Sequence, residues 1–122
     1  MGNFIKKEPK SFGYALEGIL FAFKTQVNFR IQFFVGCAAS ILAYIFGFSK
    51  FEWLILLLSI SLVLFAELAN TAVELLVDLA TNEVHPKAKM VKDLSAGLVL
   101  LISVFVFVIG LMLFAPYVLM LI

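Results

Sequence analysis

Charge is scarce in this chain. Only 14% of its 122 residues are charged, 64% are hydrophobic and the net charge is +1. That excludes an ordinary soluble domain and offers no basic surface from which to argue for nucleic acid. Cysteine is almost absent: Cys37 stands alone in an apolar run, so there is no disulfide framework and no metal cluster of cysteines, and it reads as a small buried hydrophobe. No Gly-x-x-x-x-Gly-Lys-Ser/Thr loop and no glycine-rich kinase loop occurs, so no general motif announces a nucleotide. An apolar leader is missing too, because residues 1–10 (MGNFIKKEPK) are polar and basic, and no cleavable signal peptide is expected. What the chain has in quantity is long hydrophobic runs, which predict a single-domain, all-α integral membrane protein.

Taken in order, residues 1–10 read as a loose basic tail, with Pro9 disfavouring helix at Glu8. Over residues 11–30, Phe12, Leu16, Ile19, Leu20, Phe23 and Val27 recur at helical spacing while Glu17, Lys24 and Asn28 gather opposite. This pattern predicts an amphipathic helix lying in the headgroup plane. Residues 31–48 carry no charge between Arg30 and Lys50 and predict a first span. Residues 53–80 read as one helix free of Gly and Pro; at about 1.5 Å per residue it runs roughly 42 Å, longer than the hydrocarbon core is thick. Its second half must therefore leave the membrane. A soluble-looking loop follows at 81–93, where Pro86 is expected to interrupt helix, and residues 94–122, without a charge, predict a third span that Pro116 kinks or ends. Five Lys and Arg residues precede Ile31 and three lie in the loop, against Lys50 alone in the turn between the first two spans. The positive-inside rule then places the N-terminus and the 81–93 loop in the cytoplasm, and the C-terminus outside the cell membrane.

The second predicted span carries charge that a membrane helix should not tolerate. At 100° per residue Glu67, Asn70, Thr71, Glu74 and Asp78 share one stripe, and intramembrane acids are functional candidates by default. The plainer alternatives are a solvated face for Glu74 and Asp78, and a protonated, hydrogen-bonded carboxyl for Glu67. Two carboxylates a turn or two apart suit Mg²⁺, which takes oxygen ligands and keeps waters and phosphates in its shell. Lysines in the adjacent loop suit phosphates, and a third carboxylate at the interface suits proton abstraction from an alcohol arriving through the lipid. Such an arrangement fits lipid phosphorylation, where positioning and charge neutralisation do most of the catalysis. A small proton- or cation-coupled transporter is the alternative that the stripe alone leaves open.

The run Glu67-x-x-Asn70-Thr71-Ala72-x-Glu74-x-x-x-Asp78, followed by Glu83-x-His85-Pro86-x-Ala88-Lys89-x-x-Lys92-Asp93-x-x-Ala96-Gly97, resembles the signature of the small prokaryotic diacylglycerol kinase and undecaprenol kinase family. The order of a surface helix and three spans is similar as well, so the resemblance covers nearly the whole chain. It implies a homotrimeric lipid kinase using ATP and Mg²⁺, with sites formed between subunits near the cytoplasmic interface. On that resemblance Glu67 is the general base, Glu74 binds the metal, and Asn70 supports both. Tyr14, Glu83, Val84, His85, Lys92 and Asp93 border the nucleotide, while Asp78 is either a supporting group or a salt-bridge partner of a loop lysine. Gln26 stands where the family usually has a Glu as second metal ligand. An amide oxygen can ligate Mg²⁺ but brings no charge, which predicts weaker metal binding. The His-Pro-x-Ala-Lys loop looks more like the Gram-positive branch, which points to undecaprenol as the lipid, with diacylglycerol as the alternative.

Overall fold

The computed structural model describes the backbone of residues 2–122 and the side chains of residues 10–122. Its elements are four helices: α1 (Gly2–Thr25), α2 (Val27–Phe46), α3 (Lys50–Ala80) and α4 (Pro86–Leu119). The last three are each long and apolar enough to cross a membrane. Large apolar side chains such as Phe34, Tyr44, Phe65, Leu79 and Phe107 point outward, as they do where lipid or protein rather than water covers them. Helix α3 is the hub, with α4, α2 and α1 all packed on it.

Local chemistry sets the helix ends. Gly47 closes α2 in the left-handed region at φ 73°, the conformation a glycine adopts without steric penalty. Its N–H donates to Tyr44 O at 3.1 Å and the Phe48 N–H to Ala43 O at 3.0 Å, the two bonds of a Schellman ending. Phe48 and Ala43 are also buried against each other and Leu56, the apolar contact that accompanies this cap. Ser49 then opens α3 with a capping box: its hydroxyl accepts from Glu52 N at 3.2 Å and Glu52 Oε1 accepts from Ser49 N at 2.9 Å. Three residues thus suffice to reverse the chain.

Several boundaries differ from those expected. Helix α1 runs through the stretch expected as a loose tail, from Gly2 to Thr25, with Met1 outside the described residues. Propagation costs little once a helix is nucleated. The expected 11–30 helix instead breaks at Gln26, whose φ of −109° and ψ of 110° are extended, and α2 takes over from Val27. Helix α3 begins at Lys50 because the cap lies at Ser49, before Trp53. Pro86 starts α4 rather than interrupting helix, for at the first helical position proline loses no bond and its φ is already helical. His85 caps this end, its Nδ1 accepting from Lys87 N at 3.1 Å, so the connection shrinks to residues 81–85. Pro116 lies inside α4, which continues to Leu119.

Between the ends, α2 meets α3 where side chains are small. A Cβ on Gly36 would stand 3.0 Å from Ile60 Cγ2, so the glycine is what lets these two backbones approach. At the α2–α3 turn, Phe46, Phe48, Trp53, Phe114 and Tyr117 form an aromatic closure. Tyr117 stacks on Phe46 at 5.4 Å and 13°, and Phe48 lies 4.9 Å from Phe114.

Candidate active site

All five members of the polar stripe lie within α3, on its half remote from the aromatic closure. Exposure rises along it: Glu67 is 4% exposed and Thr71 5%, Asn70 and Glu74 are half-buried, and Asp78 is exposed. Thr71 is satisfied, its hydroxyl donating to Glu67 O at 2.9 Å. Glu67 is not; among the described residues no hydrogen bond or ion pair reaches its carboxylate. A buried carboxylate without donors has its lone pairs free, and such a group suits accepting a proton.

One turn further on, Asn70 Nδ2 donates to Glu74 Oε1 at 3.2 Å. That bond turns the amide so that its Oδ1 faces away, and this oxygen is buried without a partner. Orphaned buried acceptors are uncommon and call for an explanation. Turned away from Glu74, that oxygen does not share a position with it; the Glu74 carboxylate offers the oxygen ligands that fit a hard divalent cation such as Mg²⁺. No group of three or more His, Cys, Asp or Glu side chains gathers as a metal cage among the described residues. An ion here therefore draws the rest of its shell from phosphate and water, the usual state of Mg²⁺ beside nucleotides.

Beyond Asp78 the chain wraps a cavity of about 450 Å³, lined by Asp78, Thr81, Glu83, Val84, His85, Lys89, Lys92 and Asp93 among others. Two ion pairs border it. Lys92 Nζ meets Asp78 Oδ1 at 2.7 Å across the α3–α4 junction, and Lys89 Nζ meets Asp93 Oδ2 at 2.6 Å within α4. Both pairs are solvent-exposed, so each holds its lysine only weakly. Six of the expected nucleotide-site and supporting residues, Asp78, Glu83, Val84, His85, Lys92 and Asp93, thus share one cavity, beside the Glu67–Asn70–Glu74 face.

Of the other two expected residues, Tyr14 sits on α1 and Gln26 at the break that follows it. Helix α1 packs on the same part of α3, with Ala15, Gly18, Ile19 and Ala22 opposite Leu68, Thr71, Ala72 and Leu75. Yet Tyr14 is 61% exposed, and within the described residues no hydrogen bond joins Tyr14 or the Gln26 side chain to Glu74. Gln26 is fixed by its backbone instead, at the break between α1 and α2, where its N–H donates to Ala22 O at 2.8 Å. Arg30 holds that break, its guanidinium donating to Phe23 O at 2.9 Å and Lys24 O at 2.8 Å, the last carbonyls of α1. The sequence reading took Arg30 as a flanking charge at the turn into the first span and did not foresee this role, although a cation a few residues past a helix C-terminus is a recognised partner for its free carbonyls. The orphaned Asn70 oxygen left no sequence signal.

Residues 13–114 match the family described as prokaryotic diacylglycerol kinase. The chain is 40% identical to the undecaprenol kinase of Bacillus subtilis over 114 residues, covering 93% of each protein. It is 41% identical to a diacylglycerol kinase of Synechocystis over 101 residues, 82% of this chain and 58% of that one. A diacylglycerol kinase of Haemophilus influenzae is 36% identical over 80 residues, 66% of this chain and 68% of its own length.

Proposed function

The chain belongs to the prokaryotic diacylglycerol kinase family and is a membrane lipid kinase, and from that premise we propose that it transfers the γ-phosphoryl group of ATP to the hydroxyl of undecaprenol. Identity alone does not separate the lipids, since the undecaprenol kinase and one diacylglycerol kinase stand at 40% and 41%. Length supports the choice, for the match with the undecaprenol kinase runs over 93% of both chains. Diacylglycerol is the alternative acceptor.

The observation that carries the mechanism is the Glu67 side chain, buried over most of its surface and with no donor on its carboxylate among the described residues, one turn from the Asn70–Glu74 pair. Glu67 takes the proton from the lipid alcohol as its oxygen attacks the γ-phosphorus, and the bond to the β-phosphate oxygen breaks. Glu74 and the Gln26 amide oxygen would hold Mg²⁺ against the phosphates, with Asn70 supporting Glu74 through its side-chain amide. When bound, the ion neutralises the phosphate charge that a row of carboxylates would otherwise repel. Lys92 leaves Asp78 to meet phosphate, a better partner than an exposed carboxylate. Asp93, Glu83, Val84 and His85 border the nucleotide, with Tyr14 approaching from α1. Because Tyr14 and Gln26 are not joined to the loop cavity within one chain, we read the site as completed between subunits of a homotrimer. Its α1 lies along the cytoplasmic surface and its 81–85 connection faces the cytoplasm.

The test is phosphate transfer from labelled ATP by purified protein in mixed micelles with Mg²⁺, offering undecaprenol and diacylglycerol separately. Product from undecaprenol alone is expected; product from diacylglycerol alone moves the assignment to the alternative lipid. Bound ATP with no product from either lipid would identify Gln26 as the mark of a degenerate metal site.

A further inference from the structure

Helices α3 and α4 run antiparallel for most of their length and make the broadest helix contact among the described residues. That contact is largely apolar, with a crevice of about 520 Å³ between α2, α3 and α4 walled by residues such as Val63, Val106 and Phe107. Apolar contacts are non-directional, so they set axial register less sharply than polar ones. Two polar contacts determine it instead. Among the described residues only two side-chain hydrogen bonds join these helices: Lys92 Nζ to Asp78 Oδ1 at 2.7 Å and Tyr117 hydroxyl to Glu52 Oε1 at 2.6 Å.

Their spacing is matched. At a helical rise of about 1.5 Å, Glu52 and Asp78 stand roughly 39 Å apart on α3, and Lys92 and Tyr117 roughly 38 Å apart on α4. Both bonds therefore form together in one register only, and a slip of one turn, about 5.4 Å, breaks both. The two differ in strength. Lys92 and Asp78 have side chains 42% and 64% exposed, and phosphate competes for the lysine. The Glu52–Tyr117 bond is held from both sides, by the capping box of Ser49 on the carboxylate and by the ring stack of Phe46 on the tyrosine.

We propose that Glu52 and Tyr117 are positioning residues for phosphoryl transfer: from the far face of the membrane they keep α4 in register when phosphate draws Lys92 away from Asp78. Lys92 and Asp93 then remain opposite the acidic stripe throughout the reaction. The inference rests on the proposed roles of Lys92 and Asp93, so its test must separate the two.

Tyr117→Phe removes the hydroxyl and keeps the ring, whereas Glu52→Gln keeps an oxygen that can accept from both Ser49 N and the Tyr117 hydroxyl. Tyr117→Phe is expected to raise KM for MgATP or lower kcat by on the order of tenfold, the scale of one hydrogen bond to a charged group, and Glu52→Gln by less. KM for the lipid should stay unchanged while the thermal midpoint falls only modestly, and the double variant should be no worse than Tyr117→Phe alone. Tyr44→Phe, at a tyrosine 80% exposed on α2, is the control and should change nothing. Register is read directly from the distance between spin labels at Leu79 and Met90, exposed on α3 and α4, after Cys37 is replaced. Tyr117→Phe should shift or broaden that distance when MgATP is bound. An unchanged distance, or a fall in thermal midpoint with kinetics intact, would overturn the proposal by reducing the bond to a structural contact. Lys92→Ala checks the underlying site reading separately: an unchanged KM for MgATP there removes the role of Lys92, whatever Tyr117→Phe does.

Discussion

At the α2–α3 turn Glu52 accepts from Ser49 N and from the Tyr117 hydroxyl, whereas further along the same helix Glu67 is buried with nothing among the described residues donating to it. Both are glutamates on α3. At the turn the backbone caps, the ring stack and the carboxylate answer one another, leaving no polar group wanting. Along the stripe, the Glu67 carboxylate has no donor among the described residues, Asn70 Oδ1 is buried without a partner, and two lysines are held only by exposed acids. A fold leaves polar atoms open where something else supplies the partner. The contrast within a single helix therefore locates the chemistry better than charge alone does.

If the open end is a site and the closed end is scaffold, substitutions at the two should fail differently. The largest effect belongs to Glu67→Gln, which keeps shape and removes the base. It should lower kcat about 10²–10⁴-fold, the usual contribution of a positioned general base, while MgATP binding by calorimetry is retained; an active variant would remove Glu67 from the mechanism. Next comes Glu74→Ala, expected to weaken MgATP binding on the order of 10–100-fold, as loss of a metal-site partner does. Unchanged affinity there would remove Glu74 as a metal ligand. The smallest effect lies at the closed end, where Gly47→Ala meets open space but keeps a positive φ. The strain should cost about 1–2 kcal/mol, seen as a lower thermal midpoint with KM and kcat of the folded enzyme unchanged. Altered kinetics would show that the turn is more than scaffold.

Much of this was legible in the residues. The uninterrupted run from Trp53 to Ala80 could only be one long helix, and the angular coincidence of Glu67, Asn70, Glu74 and Asp78 follows from the 3.6-residue period alone. The family signature carried the lipid-kinase reading past the transporter alternative, which the stripe by itself did not exclude. What stayed hidden depends on contacts distant in sequence or on single atoms. Nothing local to Glu52 announces Tyr117, 65 residues away. The break at Gln26 is a choice between two helices that the apolar spacing of 11–30 allowed to be one. Pro86 was misjudged because proline stops a helix from within yet starts one at its first position, and only the His85 cap decides which. The orientation of the Asn70 amide is set by its bond to Glu74, and no pattern of residue types encodes it.

The turn between α2 and α3 bears on how this protein presents itself to its surroundings. It spans Gly47, Phe48 and Ser49, of which Phe48 is buried and the other two are spent on helix caps. A protease needs several residues of extended chain to seat in its cleft, and an antibody needs a patch of polar relief. This turn offers neither. A binder directed at that turn must therefore grip the caps of α2 and α3 themselves.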